Sequence, residues 1–373
     1  MNIFSLIKNF YEIFMNIKNK KGIIIDKRKK KILIFLILYA FILLEKKNIK
    51  IMYLFSNNIG DNLNYFLLND MINEKVSFYN RYFRQLNNTF WDFYILKKMK
   101  QIEKIDLFFI GSILDTICNW SYIFHKPFNT YKNIISEMLY KTKPLLIFGT
   151  GFISPQNYQN ESYIRNIKVI AVRGNITLQR LKKNGINIDN DVILADPGIL
   201  APLLINITDI YDLNLTKKYN LCVIPHYIDK DNKAIKKNIK VENSIFLNIE
   251  TNPHKFIESL LKCKSVLSSG LHGLIISDSL GIPNMRMIAS DNILGGDYKF
   301  KDYYSSFGLD SPPKIDLRKT IFTENNLTKL KSDYYIKRDL IRNKQCQLLT
   351  KFPYKLTEKY KHFRNIICSN VEN

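Results

Sequence analysis

No two cysteines in this 373-residue chain are spaced Cys-x-x-Cys, and the five present (Cys118, Cys222, Cys263, Cys346 and Cys368) are scattered and odd in number. Neither a structural zinc site nor a disulfide framework is expected from them, and a reducing cytoplasm fits best. Heptads, zinc-ligand spacing and a helix-turn-helix signature are absent too, so nucleic acid is not the expected partner. The apolar run Ile32 to Leu44 has 13 residues, against the roughly 20 that a helix needs to span a bilayer. It follows basic clusters, as a signal peptide does, but starts too far into the chain and has no small-residue cleavage site behind it. Acidic residues are the scarce charge, 33 against 56 Lys and Arg, for a net +23. Part of that excess reflects a Lys-, Asn- and Ile-rich composition of the kind A+T-rich coding sequence produces. Its physical content is attraction to anions, namely phosphorylated substrates and acidic lipid surfaces.

The rest of the composition is that of a globular protein, with 46% apolar and 24% charged residues. The length suits two domains, each with its own core. Residues 1–50 stand apart as a basic and apolar extension. Either the apolar run Ile32–Leu44 is an ordinary buried helix, or residues 1–50 lie along an anionic membrane surface with the lysines at the head groups. From Ile51 a β-loop-α rhythm begins. Ile51–Phe55, Ile105–Ile110, Leu145–Phe148 and Val169–Val172 read as strands, each running into Gly or Ser, with helices behind several of them. The rhythm pauses near Pro202, and residues 203–218 read as a connection. Tyr219–Ile224, Ser244–Asn248 and Ser265–Ser268 are strands of a second block. This is the pattern of doubly wound parallel sheets, whose ligands bind beyond the carboxyl ends of the strands. The expected division is 51–205 and 206–320, two similar sandwiches flanking a cleft, with C-terminal helices over 321–373.

One stretch organises the second block. Ser265-Val-Leu-Ser268-Ser269 is a strand, Gly270 breaks it, and Leu271 to Leu280 is a helix ended by Gly281 and Pro283. A strand passing through a tight loop into a helix presents free N–H groups and the positive end of the helix dipole to an anion. His272 stands at that helix start, able to bind an anion and to hand over a proton. Other strand-end loops carry similar groups. Asp61, just before a helix, reads equally as a proton acceptor or as an N-cap. Gly149-Thr150-Gly151 permits close backbone approach, Arg173 is placed to fork onto a carboxylate or phosphate of a ligand or else to form a structural salt bridge, and His226 is a second strand-end histidine.

Taken in order, these segments resemble the polysaccharide pyruvyl transferase family. They are Asn58-Ile-Gly-Asp-Asn-Leu-Asn64, Phe148-Gly-Thr-Gly-Phe152, Ala171-Val-Arg-Gly174, Asp196-Pro-Gly198, Val223-Ile-Pro-His-Tyr227, Ser268-Ser-Gly-Leu-His-Gly-Leu274 with Gly281-Ile-Pro283, and Gly295-Gly-Asp-Tyr-Lys-Phe-Lys-Asp-Tyr-Tyr304. The resemblance implies two Rossmann-like domains facing a cleft, as in the GT-B glycosyltransferases. It also implies transfer of a pyruvyl group from phosphoenolpyruvate to a sugar of a cell-surface glycan or its lipid-linked precursor, as a ketal bridging two hydroxyls. In that family the residues matched by Arg173 and His272 bind the donor. Relatives often have Arg-Leu-His where this chain has Gly270-Leu271-His272, so one cation is missing; either another base replaces it, with Lys299 and Lys301 the candidates, or donor binding is weakened or changed.

The chemistry can be argued from the residues as well. Phosphoenolpyruvate carries a carboxylate and a phosphate, so its pocket needs fixed positive charge and N–H donors. Ketal formation starts by protonating the vinyl carbon, a task for a histidine such as His272, while Asp61 assists the attacking hydroxyl. Arg173, Gly149, Gly151, His226, Ser268, Ser269, Lys299 and Lys301 would then hold substrate, with neither cofactor nor metal required. Two other readings compete. One is a GT-B glycosyltransferase using a nucleotide sugar; the other is a basic, non-enzymatic protein that binds membrane or acidic glycan through residues 1–50.

Overall fold

The computed structural model describes residues 49–53, 58–80, 105–116, 144–155, 166–208, 216–310, 312–369 and 371. The basic clusters, the apolar run Ile32–Leu44 and Cys118 lie outside them. Residues Asn48–Asn373 form one compact unit.

The first block carries β1 (Ile49–Tyr53), α1 (Ile59–Met71), β2 (Val76–Asn80), β3 (Leu107–Phe108), β4 (Leu145–Phe148), β5 (Ile167–Val172), α2 (Asn175–Lys183) and β6 (Ile193–Leu194). Its six strands pair in parallel in the order β2-β1-β3-β4-β5-β6. A 3-10 helix, Pro197–Ile205, runs into the first residues of the expected connection 203–218. The second block carries β7 (Leu221–Ile224), α3 (Lys233–Lys237), β8 (Ile239–Lys240), β9 (Ser244–Phe246), α4 (Pro253–Leu260), β10 (Val266–Ser268), α5 (Leu271–Ser279), β11 (Asn284–Ile288), α6 (Tyr298–Ser305) and β12 (Lys314–Asp316). Its main sheet is also parallel, in the order β12-β11-β10-β7-β9, while β8 pairs separately with β13 (Phe322–Thr323).

Both main sheets are wound alike. In each, the second strand in chain order lies outside the first, and the third crosses back to the first strand's other side. The winding therefore reverses between β1 and β3 in one sheet and between β7 and β10 in the other, and such switch points open a crevice at the strand ends. Parallel strands covered on both faces should be apolar throughout, and Leu221-Cys-Val-Ile224 is buried at every position. Its alternate side chains serve different layers. Leu221 and Val223 join Leu267, Met287 and Leu330 on one face. Cys222 and Ile224 join a larger core that also takes in Ile51, Leu107, Phe148 and Ala171 of the first sheet.

Three further helices, α7 (Glu324–Ser332), α8 (Arg338–Thr350) and α9 (Glu358–Ser369), close the fold. Phe352 packs edge-on against Phe148 and Phe109, at 5.5 and 6.2 Å between centroids, and Gln345 donates to the Ile199 carbonyl. The expectation on cysteines is corrected. Cys222 is bonded to Cys263, and Cys346 to Cys368, pairs separated by 41 and 22 residues. Only the fold brings β7 beside the turn before β10, or α8 beside α9, so spacing could not reveal either bond. Among the described residues no helix is long and apolar enough to cross a membrane.

Candidate functional site

The loop after β10 is held by its own serines. The Ser268 hydroxyl lies 3.1 Å from the Ile224 carbonyl and 2.9 Å from that of Gly270, and accepts from the Gly270 N–H. Ser269 Oγ accepts from the His226 N–H at 2.8 Å. Both side chains are fully buried. They were expected to bind substrate; instead they stitch the β10 loop to the end of β7, and so fix His226 and His272 across the switch point of the second sheet.

His272 sits in the first turn of α5, with Gly270 as the N-cap. Its ring reaches over to the first block and lies on Gly60 in the first turn of α1. A methyl group on Gly60 would stand 1.8 Å from His272 Nδ1, so only glycine leaves room there. The opposite edge of the ring faces Gly198, whose missing Cβ would lie 3.8 Å from Cδ2. The residue keeps a little accessible surface, but Nε2 is sealed and without a hydrogen-bond partner among the described residues. Burial, then the charges of Lys299 and Arg173 and the neighbouring His226, push its pKa down to about 3. His226 is treated in the same way. Burial, then Lys299, bring it down to about 4, against the pull of Asp229. The Ile228 N–H donates to His226 Nδ1 at 3.3 Å, so the neutral ring carries its proton on Nε2.

Lys299, in the first turn of α6, supplies the charge that acts on both histidines. It is 8% exposed, and its pKa is lowered to about 8 by burial, then by Arg173 and Arg286, with Asp61 pulling the other way. Lys301 points elsewhere. Two residues along a helix is a turn of about 200°, and Lys301 falls on the exposed face of α6. The expected pair of cleft lysines is thus corrected to one. Asp61 is in the first turn of α1, but the cap is Asn58, whose Oδ1 accepts from the Gly60 N–H at 3.1 Å. The helix begins inside the polar stretch that reads as a loop in sequence, and this brings Asp61 close enough to act on Lys299.

Arg173 is fully buried after β5. Its Nε donates to Asp302 at 2.9 Å, one terminal nitrogen to Ser112 Oγ at 2.5 Å, and the other to the Phe152 carbonyl at 2.6 Å. Asp302 also accepts from Thr177 N–H and Oγ, at 2.8 and 2.7 Å. One carboxylate thereby ties α6 of the second block to Arg173 and to the start of α2 in the first. The arginine contributes its field to the site while its fork grips protein. Gly149 and Gly151 were expected to admit a ligand to the backbone, and here too protein fills the space. A methyl on Gly151 would be 2.6 Å from the Arg173 guanidinium carbon, and one on Gly149 (φ +86°) would be 2.1 Å from Pro197.

Gly270, where relatives often have arginine, has an ordinary extended backbone (φ −100°, ψ 140°). A Cβ there would make normal contacts, 3.4 Å to Ile249 and 3.5 Å to the His226 ring. Three buried carboxylates were missed as site residues in the sequence: Asp302, Asp229 and Asp196. Asp229 is joined to Ser290 Oγ at 2.5 Å. Asp196 caps the 3-10 helix through the Gly198 N–H at 2.8 Å, and burial raises its pKa to about 6. Asp196 and Asp229 stand after strands, where an aspartate usually marks a cap or turn, and Asp302 lies within α6 among lysines and tyrosines, so no local signal separates them from ordinary ones.

The first turn of α1, the residues that follow β3, β4, β5, β6, β7 and β10, and α6 thus gather in one buried cluster around Arg173, His272 and Lys299. The family model for polysaccharide pyruvyl transferase matches residues 53–292 of this chain, well over half of it. The chain belongs to the polysaccharide pyruvyl transferase family. As a transferase of that family, it acts in pyruvyl transfer to polysaccharide. The transferase is 32% identical over 222 residues to an uncharacterized protein, L143, of Acanthamoeba polyphaga mimivirus, covering 56% of this chain and 71% of that protein. A solved structure, the functionally uncharacterized KP1_0663 of Klebsiella pneumoniae, aligns with 77% of the transferase and 97% of its own chain, at 15% identity and a TM-score of 0.36.

Proposed function

We propose that the transferase takes its pyruvyl group from phosphoenolpyruvate and sets it as a ketal on two hydroxyls of one sugar. The observation that carries this reading is electrostatic. Lys299, His226 and His272 are each held below their ordinary pKa by burial and by one another's charge or that of Arg173. Such a crevice is unfavourable until an anion enters, and perturbed titrations of this kind cluster at functional sites. Phosphoenolpyruvate, with carboxylate and phosphate on one small frame, is the complementary charge.

At a pKa of about 3, His272 is neutral in the free protein and could not act as an acid at neutral pH. A bound polyanion reverses the balance, because negative charge beside an imidazole favours its protonated form. His272 then delivers a proton to the vinyl carbon as C2 becomes oxocarbenium-like, and one sugar hydroxyl adds there with Asp61 assisting its deprotonation. Loss of phosphate and attack by the second hydroxyl complete the ketal. Of the two hydroxyl protons, one ends on the new methyl group and one on phosphate. Lys299 and the field of Arg173 stabilise the phosphate as it leaves.

The acceptor in this reading is a cell-envelope glycan or its lipid-linked precursor, with residues 1–50 resting against anionic lipid. The two blocks would work as a GT-B-like pair with the crevice between them. The test uses phosphoenolpyruvate labelled with ¹³C at C2 and a panel of free and lipid-linked diol sugars, followed by ¹³C and ³¹P NMR. A ketal carbon appearing in step with inorganic phosphate supports the proposal. Transfer from a nucleotide sugar, with no consumption of phosphoenolpyruvate, rejects it.

A further inference from the structure

We infer that Asp196 positions His272, holding the Nε2 edge of its ring so that Nδ1 is the nitrogen presented to the substrate. The inference rests on the reading of His272 as the proton donor, but its first test does not.

Asp196 Oδ2 and His272 Nε2 are among the polar atoms buried without a hydrogen-bond partner among the described residues. Buried polar atoms in folded proteins almost always have partners, so two orphans in one neighbourhood call for an explanation. The two side chains that carry them flank the same glycine. The point where Gly198 would carry a Cβ is 3.1 Å from Asp196 Oδ1 and 3.8 Å from His272 Cδ2, the ring atom bonded to Nε2. That point is also 3.0 Å from Ile275, so a side chain there would crowd both groups. The carboxyl is fully buried, and Gly198 N–H anchors one of its oxygens at 2.8 Å, leaving the other for a second partner. A small turn of the carboxyl, or one bridging water, joins the two orphans.

The consequence follows from imidazole chemistry. A neutral ring has one N–H; spent toward Asp196, it sits on Nε2 and leaves Nδ1, over Gly60, to take up and deliver the substrate's proton. A buried carboxylate behind a histidine also stabilises the imidazolium that forms in turnover. The remaining charges around the ring favour the opposite. Lys299 on α6, Arg173 after β5 and His226 after β7 all disfavour its proton, while Asp61, next to Gly60 on α1, acts on Lys299. Around Asp196, Arg173 favours the ionised form and Asp302 opposes it. Asp196 is thus the carboxylate that shares the Gly198 contact with the sealed edge of the ring.

The variant is Asp196→Asn, which keeps a cap oxygen for Gly198 but turns an N–H₂ toward Nε2. Histidine ¹⁵N NMR without substrate, assigned with His272→Gln, should show the Nε2–H tautomer in the parent and the Nδ1–H tautomer in the variant. With phosphoenolpyruvate and acceptor, kcat should fall by about 10²-fold or more, with the donor's KM within about threefold. The limb of the pH profile at which the acid loses its proton should move to lower pH. Asp196→Ser, which also caps, should lose kcat similarly and serves if the asparagine variant fails to fold. An unchanged tautomer overturns the inference, as does a switched tautomer with kcat retained. If the parent consumes no phosphoenolpyruvate but the tautomer switches, the donor assignment fails while the Asp196–His272 pairing stands.

Discussion

Replacing Lys299 by methionine removes one charge from the crevice and keeps a side chain of similar length. The ammonium is nearly enclosed, 8% exposed, and is the largest charge effect on both His226 and His272. A hydrogen bond to a charged group contributes roughly 1.5–3 kcal/mol, and about 1.4 kcal/mol is tenfold in affinity. Lys299→Met should therefore weaken phosphoenolpyruvate binding by roughly 10- to 150-fold in titration calorimetry at pH 7. Lys301→Met, on the exposed face of the same helix, is the control and should change binding less than about twofold, the scale of a screened surface charge. The parent's affinity should also fall as pH rises through about 8, where the free enzyme's Lys299 loses its proton, and Lys299→Met should lack that dependence. Equal binding by parent and Lys299→Met would refute the reasoning, as would equal losses in the two lysine variants.

Three further outcomes are expected. His272→Asn should cost about 10²-fold or more in rate, the usual loss for a general acid, with the fold retained in thermal melts; a collapsed melting temperature with full activity per folded molecule would make the histidine structural. Gly270→Arg should fold normally, since a Cβ fits there, and should tighten phosphoenolpyruvate binding by about tenfold or more, the scale of one charge-assisted contact; weaker binding in calorimetry would contradict this. Asp278 is fully buried, accepts from Asn284, Tyr303 and Tyr334, and burial raises its pKa to about 7. A carboxyl raised in the folded state stabilises fully below the unfolded value near 4, and that contribution is lost as pH climbs through about 7. Relative to the parent, Asp278→Asn should therefore gain stability from pH 4 to pH 7, and a constant difference between the two melts would contradict the assignment.

The parts of the fold legible in sequence are those where a single segment carries its own signal. Leu145–Phe148 is a strand at the bounds read from its apolar run, and Val266–Ser268 leads through Gly270 into a helix as its punctuation implies. Strand β11 was not read, because Asn284-Met-Arg-Met-Ile288 puts an arginine in its middle. That arginine becomes tolerable only when the Phe300 ring lies 3.8 Å from its guanidinium and Asp297 pairs with it at 2.5 Å. In the site, His272, His226 and Asp61 were legible as strand-end groups, and the structure brings all three toward Lys299. What they do to one another was not. The Arg173–Asp302 pair spans 129 residues, and the serines and glycines of the motifs are spent on holding protein together. A motif tells which residue types stand at strand ends; it does not tell whether their polar atoms face ligand or backbone.

The central claim is that the crevice exists for phosphoenolpyruvate, and the most direct measurement is a thermal-shift comparison of that ligand with uridine and guanosine diphosphate sugars on the full chain. A ligand present at a hundred times its Kd stabilises by about 2.7 kcal/mol. Phosphoenolpyruvate should raise the melting temperature by several degrees at neutral pH, less in Lys299→Met, with the nucleotide sugars near zero. A shift with a nucleotide sugar and none with phosphoenolpyruvate would contradict the account.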